Sequence, residues 1–297
     1  MTCRFINRVV LLLAVLLISS VDSIGQASIG QLPIQNFERK DYDSQAQNWQ
    51  IIQGDDGVIY IANNGGLLYY DGEKWKEVAL AGEATARSIV WHKDTLFVGG
   101  NNELGTFTKN KIGKWTYSSY VSLIPESERN FNSIWSVHLR NNHVLFQGHN
   151  HIFDLQPDRK SFEITKSETE ISNAFLIGDA LFVDLPELGL CDLLDGEISP
   201  LPGAPILEGM RVNGMIESSK GGYLLFTSQN GIFELNFSKE MGTYSFKRFG
   251  KDWERLEKEE MYSGVRLPNG LIAVAARGTG VFFLSDEGTI VNEITKE

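Results

Sequence analysis

The sequence predicts an all-β fold, a β-propeller of four-stranded blades with six blades visible, on three observations. From Trp49 onward, short apolar runs alternate with Gly, Asn and Asp punctuation, the pattern of strands joined by tight turns. One plan recurs six times along the chain. Stretches of helical period are short, with a turn of helix expected at Ile124–Asn130 and another at Lys251–Met261.

Each unit reads as an apolar strand, a polar turn, a second apolar strand, a small or Asn-rich link and a third strand. The first unit runs Trp49–Ile52, Val58–Ile61 and Leu67–Tyr70, around the turn Gly54-Asp55-Asp56-Gly57. The second runs Ser88–Trp91, Leu96–Val98 and Leu104–Phe107, and the third Ile134–Leu139, Val144–Phe146 and Ile152–Leu155. The fourth comprises Ala174–Ile177, Leu181–Val183 and Leu188–Leu193. The fifth comprises Val212–Ile216, Tyr223–Phe226 and Ile232–Leu235, and the sixth Tyr262–Leu267, Leu271–Val274 and Val281–Leu284. A fourth, outer strand follows each: Lys74–Val78, Lys114–Tyr117, Ser161–Ile164, Glu197–Leu201, Tyr244–Phe249 and Thr289–Ile294.

Two units overlay without a gap. VLFQGHNHIFDL (Val144–Leu155) matches LLFTSQNGIFEL (Leu224–Leu235) in apolar, Asn and acidic positions, at an offset of 80 residues with one unit between. The spacing from Tyr70 to Leu284 gives a unit of about 43 residues, that of a four-stranded propeller blade. A small twisted sheet cannot bury both faces alone, and stacking blades around an axis buries each against its neighbours. Either a six-bladed ring closes here, with Leu32–Phe37 lent to the last blade, or the arc belongs to a longer, seven-bladed ring.

The N-terminus reads as an export signal, residues 1–25. Arg4 and Arg8 precede the apolar run Val9–Ile18, and Ser23-Ile24-Gly25 before Gln26 suits a signal peptidase. That run of about ten residues fits a signal core and is short for a membrane span; an uncleaved anchor is the alternative. Residues 26–44 form a lead-in and 45–297 the propeller. Cys3 leaves with the signal, so Cys191 stands alone within an apolar segment and is expected in the core. The net charge of −11 and the lack of a Lys/Arg cluster exclude a nucleic-acid surface. The expected location is the periplasm.

Catalytic signatures are missing. There is no Gly-x-Ser-x-Gly elbow, no His-Glu-x-x-His helix and no phosphate loop. His149 and His151 share a side of an extended chain, but without a third ligand they read as a solvated turn rather than a metal site. Asp55-Asp56-Gly57 reads as a hairpin turn rather than a calcium loop. Glu259-Glu260 reads as a solvated acidic face. No metal, cofactor or catalytic residue is therefore assigned.

The stretch from Asp56 to Gly72, DGVIYIANNGGLLYYDG, resembles the two-component regulator propeller repeat: a Gly turn, a strand ending in small residues, a Gly-Leu step and an aromatic strand with Asp. Asn230-Gly231-Ile232-Phe233 and Gly278-Thr279-Gly280-Val281-Phe282 keep the step. Asn36–Tyr42, with Gln47-Asn48-Trp49 behind it, is similar to the opening of a branch of Bacteroidetes-type membrane regulators. Those carry a triple-tyrosine module and a helix-turn-helix output, and related proteins a histidine kinase. The resemblance implies an extracytoplasmic sensor of a signal-transduction, transcription-regulating receptor. The sandwich module, membrane span and output domain it also implies do not follow Glu297, so transduction would need parts outside this polypeptide.

A binding site in such a ring belongs where blades converge, at the entry of each first strand. Those positions are Trp49, Arg87, Trp135, Asn173, Asn213 and Tyr262. Aromatic rings beside Arg and Asn suit a glycan or a peptide, through stacking and hydrogen bonds. The competing reading makes Trp49 and Trp135 core wedges between blades. The sensing reading stands against a polysaccharide-directed propeller enzyme and a protein-binding scaffold. Oligomeric state is left open, a homodimer included.

Overall fold

The computed structural model describes residues 35–203, 207–238 and 240–295, so the signal segment and the first half of Leu32–Phe37 lie outside them. The chain divides into two compact units, Met1–Phe37 and Glu38–Glu297. The second is the β-propeller that the repeats predict, six sheets of four antiparallel strands, each sheet in chain order.

Blade 1 comprises β1 (Asn48–Gln53), β2 (Ile59–Asn63), β3 (Gly66–Tyr70) and β4 (Trp75–Val78). Blade 2 comprises β5 (Ala86–His92), β6 (Thr95–Gly100), β7 (Glu103–Lys109) and β8 (Trp115–Ser119). Blade 3 comprises β9 (Ser136–Arg140), β10 (His143–Gln147), β11 (His151–Leu155) and β12 (Phe162–Lys166). Blade 4 comprises β13 (Asn173–Ile177), β14 (Ala180–Leu185), β15 (Gly189–Leu194) and β16 (Glu197–Pro200). Blade 5 comprises β17 (Val212–Glu217), β18 (Tyr223–Thr227), β19 (Ile232–Ser238) and β20 (Thr243–Arg248). Blade 6 comprises β21 (Met261–Arg266), β22 (Ile272–Ala276), β23 (Gly280–Leu284) and β24 (Ile290–Thr295). Among the described residues helix is confined to short pieces, α1 (Arg39–Tyr42) in the lead-in, α2 (Trp253–Leu256), and 3-10 turns that include Glu126–Glu128. The two helical turns expected from sequence fall within one turn of these.

The second strands of blades 2 to 5 and the third strands of blades 2 to 4 are buried along most of their length, because both faces of each sheet are covered. Five apolar cores lie between consecutive blades. Phe107 and Trp115 meet Tyr60 between blades 1 and 2, and Phe97 meets Phe131 and Phe146 between blades 2 and 3. Leu145 meets Val183 and Cys191 between blades 3 and 4, Phe182 meets Leu225 between blades 4 and 5, and Phe226 meets Val274 and Phe282 between blades 5 and 6. The first strands run innermost, β1 touching β5, then β9, β13, β17 and β21 in turn. Among the described residues no comparable core joins blade 6 to blade 1, and Ile51 of β1 and Val265 of β21 are 66% and 55% exposed.

The gapless overlay of blades 3 and 5 conceals a slip. Phe146 pairs with Phe153 in blade 3, whereas its counterpart Phe226 pairs with Ile232 in blade 5. A one-residue slip turns a strand's side chains to the opposite face. Accordingly Phe146 packs toward blade 2 and Phe226 toward blade 6. The slip is tolerated because Leu145 and Leu225 fill the face each Phe vacates.

The Gly-Leu step of the repeat has a steric cause. Gly66 and Gly280 open the third strand of blades 1 and 6 at φ 130° and 146°. A Cβ there would meet the main-chain carbonyl of Val78 or Ile294 in the outer strand. Glycine lets the outer strand close onto the third without that collision.

Candidate functional site

The residues that face the axis are placed there by a recurring local distortion. The entry of the innermost strand carries a register shift in four blades: between Asn48 and Gln50, Ala86 and Ser88, Val212 and Gly214, and Met261 and Ser263. The residues at the shifts are Trp49, Arg87, Asn213 and Tyr262. A bulged residue drops out of the ladder and its side chain is re-aimed. In blade 3, Trp135 precedes β9 and donates its N–H to the Gln147 carbonyl (2.8 Å). In blade 4, Asn173 opens β13 opposite Asp184.

Trp49, Trp135, Asn173, Asn213 and Tyr262 line one cavity of about 490 Å³. Arg87 does not line it. Its guanidinium packs against two indoles that themselves meet edge to face with ring centres 6.0 Å apart, 4.2 Å from the Trp49 ring centre and 4.4 Å from that of Trp135. Its Nε donates to Asn101 Oδ1 (2.9 Å), while Nη1 is buried with no partner among the described residues. Burial pulls its pKa below the ordinary guanidinium value. Trp49 is fixed by its Nε1, which donates to Asn64 Oδ1 (2.7 Å). Trp49 also packs against the core between blades 1 and 2, as the wedge reading expects, whereas Trp135 is 43% exposed; both line the cavity.

The two asparagines act first on their own fold. Asn173 Nδ2 donates to the Val212 carbonyl (2.8 Å), and Asn213 Nδ2 to the Met261 carbonyl (2.6 Å) and Ser228 Oγ (3.0 Å). Each amide ties its blade to the next. The same task falls to Gln50 Oε1, which accepts from Ser88 Oγ and the Ile89 N–H. Further round, the Val137 N–H donates to Ser88 Oγ, and Gln147 Nε2 to the Ile171 carbonyl. Both Asn side chains line the cavity while Asn173 spends one Nδ2 hydrogen bond, and Asn213 two, within the fold.

Six further lining residues were not read from the sequence: Ser172, Arg211, Ser228, Glu260, Ser263 and Arg277. A signal existed. In an antiparallel blade the end of the second strand adjoins the start of the first, so links such as Ser228 and Arg277 open on the same end as the bulges. Arg277 Nη1 pairs with Glu260 Oε1 (2.9 Å), and its guanidinium carbon lies 5.7 Å from the Tyr262 ring centre. Arg211 is exposed, and no hydrogen bond or ion pair holds its guanidinium among the described residues. Behind the cavity, Asp184 is fully buried and accepts the Val212 N–H at 3.1 Å, and its Oδ1 has no partner among the described residues. Burial pushes its pKa up to about 7, against the pull of the Val212 N–H and Arg211.

Elsewhere, side chains conspicuous in the sequence serve the packing. His151 is buried, stacks on Phe153 and bonds Glu128 Oε2 through Nε2 (2.9 Å), so the solvated-turn reading holds for His149 and not for His151. Among the described residues no group of three or more His, Cys, Asp or Glu is placed to hold a metal ion. The Asp55-Asp56-Gly57 turn staples blade 1 to blade 2: Trp91 Nε1 donates to Asp55, and Tyr60 and Lys109 both reach Asp56. Cys191 is buried in the core, where burial lifts its thiol to about 11. Glu259 accepts from Thr279 Oγ1, so the Glu259-Glu260 pair is tied down rather than merely solvated. A second cavity of about 640 Å³ runs between blades 3 and 4, where Asp154 is taken up by His143 (2.8 Å) and Arg140 (3.5 Å).

No protein-family profile and no curated protein matches the sequence. Solved structures share the fold. The extracellular domain of the BT4673 regulator from B. thetaiotaomicron, described as a one-component and as a hybrid two-component system, superposes with a TM-score of 0.62 and 16% identity. The match covers 84% of this chain and 33% of that one, so the chain spans about a third of that domain. The WD40 propeller domain of Doa1 gives a TM-score of 0.59 at 12% identity, covering 85% and 86%. YCF48 bound to D1 peptide gives 0.62 at 12% identity, covering 88% and 87%.

Proposed function

We propose that this chain is the extracytoplasmic, ligand-sensing β-propeller of a bacterial signal-transduction and transcription-regulating receptor, that it is not itself catalytic, and that it takes its ligand in the axial cavity. One observation carries the reading. Trp49, Asn213 and Tyr262, three of the residues that line the cavity, each sit at the same register shift in the innermost strand, and bulges of this kind serve to re-aim side chains. The export-type N-terminus, the regulator-propeller repeat and the fold shared with an extracellular regulator domain support it. The downstream sandwich, membrane and output parts would then belong to the longer receptor. The strongly raised carboxyl, Asp184, is sealed from the cavity by complete burial, which suits binding rather than acid–base chemistry.

A second reading is a protein-binding scaffold. It is favoured by the matches to Doa1 and to YCF48, which run over nearly the whole of both chains.

Binding separates the two. The exported chain, purified from the periplasm, is titrated calorimetrically with a panel of oligosaccharides and of peptides. The sensing reading expects a saccharide to bind at one site and Tyr262→Ala to abolish it. Peptide binding unaffected by Tyr262→Ala would replace it with the scaffold.

A further inference from the structure

The charge around the axial cavity runs opposite to that of the chain. The chain carries a net charge of −11, yet the ionisable side chains that line the cavity are Arg211, Arg277 and Glu260. Arg87 adds a third guanidinium immediately behind the Trp49 and Trp135 rings. Glu260 is spent on Arg277, at 2.9 Å, which leaves the charges of Arg211 and Arg87 without a carboxylate in contact. The nearest buried carboxyl, Asp184, is close enough to feel Arg211 and is driven toward its neutral form by burial. A low-dielectric depression lined by one sign of charge concentrates ligands of the other sign.

The remaining lining sets the shape of the ligand. Trp135 and Tyr262 present exposed rings, 43% and 53% accessible, that suit the flat C–H face of a sugar ring. Ser172, Ser228 and Ser263 add hydroxyls to the lining. The planar fork of an arginine pairs two-pronged with a carboxylate or a sulfate, and a free Arg at a rim is placed for that.

Resting on the sensing role proposed above, we infer that the axial cavity binds an anionic saccharide, its sugar ring on Trp135 and Tyr262 and its carboxylate or sulfate on Arg211.

The test titrates the exported full chain with galactobiose, its uronate counterpart digalacturonate, a galactobiose sulfate and a short acidic peptide. An acidic disaccharide is expected to bind at least about 10-fold more tightly than galactobiose, the worth of one charge-assisted pair. Comparing uronate with sulfate identifies which anion is preferred. Arg211→Ala is expected to remove that advantage while leaving the thermal melt unchanged, and raised salt to reduce it. Equal binding of neutral and acidic disaccharides, or an advantage that survives Arg211→Ala, overturns the anionic specificity and leaves the sensing cavity standing. Binding of the peptide alone overturns the saccharide, and binding of nothing in the panel, with Tyr262→Ala equally silent, counts against the cavity itself.

Discussion

Arg87 holds its guanidinium 4.2 Å from the centre of the Trp49 indole, and its other neighbour is Trp135 at 4.4 Å. These three residues come from blades 1, 2 and 3, so the stack ties three sheets at the axis. It also explains why Arg87, read from sequence as a ligand contact, stands behind the cavity wall instead of in it. It packs into the corner of an edge-to-face indole pair, whose ring centres are 6.0 Å apart, and so buttresses both rings.

Arg87→Ala is therefore expected to destabilise the fold by about 1–3 kcal/mol, two cation–π contacts at roughly 0.5–2 kcal/mol each less relaxation. Arg87→Lys is expected to recover little, because an ammonium lacks the flat guanidinium face that packs on the rings and the Nε that donates to Asn101. Urea unfolding measures both, and tryptophan fluorescence reports the altered environment of Trp49 and Trp135. A lysine variant as stable as the parent would show that charge alone suffices.

Tyr262 and Asn213 are expected to separate binding from stability. Tyr262 is exposed, so Tyr262→Ala changes stability by no more than about 0.5 kcal/mol while weakening ligand binding. Asn213→Ala breaks the donations to Met261 and Ser228 and costs about 1–3 kcal/mol through the carbonyl left unpaired. Paired denaturation and binding measurements check the split. Equal loss of stability in both variants would refute it.

Asp184 links stability to pH. Its folded pKa of about 7 lies above the ordinary 3.8, so the folded state holds the proton more tightly than the unfolded chain does. Its contribution is fully favourable below about pH 4 and is lost as pH rises through about 7. Asp184→Asn is expected to stabilise at pH 8 by up to about 4 kcal/mol, at about 1.4 kcal/mol for each tenfold gain in proton affinity on folding. At pH 4 it is expected to change little. Thermal melts from pH 4 to 8 test this; a constant difference across that range would contradict it.

The repeat glycines differ in what they require. Gly280→Ala forces a side chain into φ 146° and against the Ile294 carbonyl, whereas Gly278, at φ 81°, has open space around its Cβ position. Gly280→Ala is expected to cost about 2–4 kcal/mol and Gly278→Ala about 1. Comparable melting temperatures for the two variants would remove the steric account of the Gly-Leu step.

Strands, blade order and the axial positions were legible in the chain because each depends on local pattern: apolar period, turn residues and the position of an entry residue within its repeat. Trp49, Trp135, Asn173, Asn213 and Tyr262 reach one cavity as that pattern implies. The pairing partners of those residues were not legible. Asn213 donates to Met261, 48 residues on, and nothing in the local sequence around either marks the bond.

The linear text thus determined six four-stranded blades, since a period of two with glycine turns leaves the backbone few alternatives. Tertiary structure decided the rest. It set which face Phe226 turns to, which cation packs on the Trp49–Trp135 pair, and which amides are already engaged. Those outcomes arise from contacts between blades, where register and packing are fixed by residues far apart in the chain.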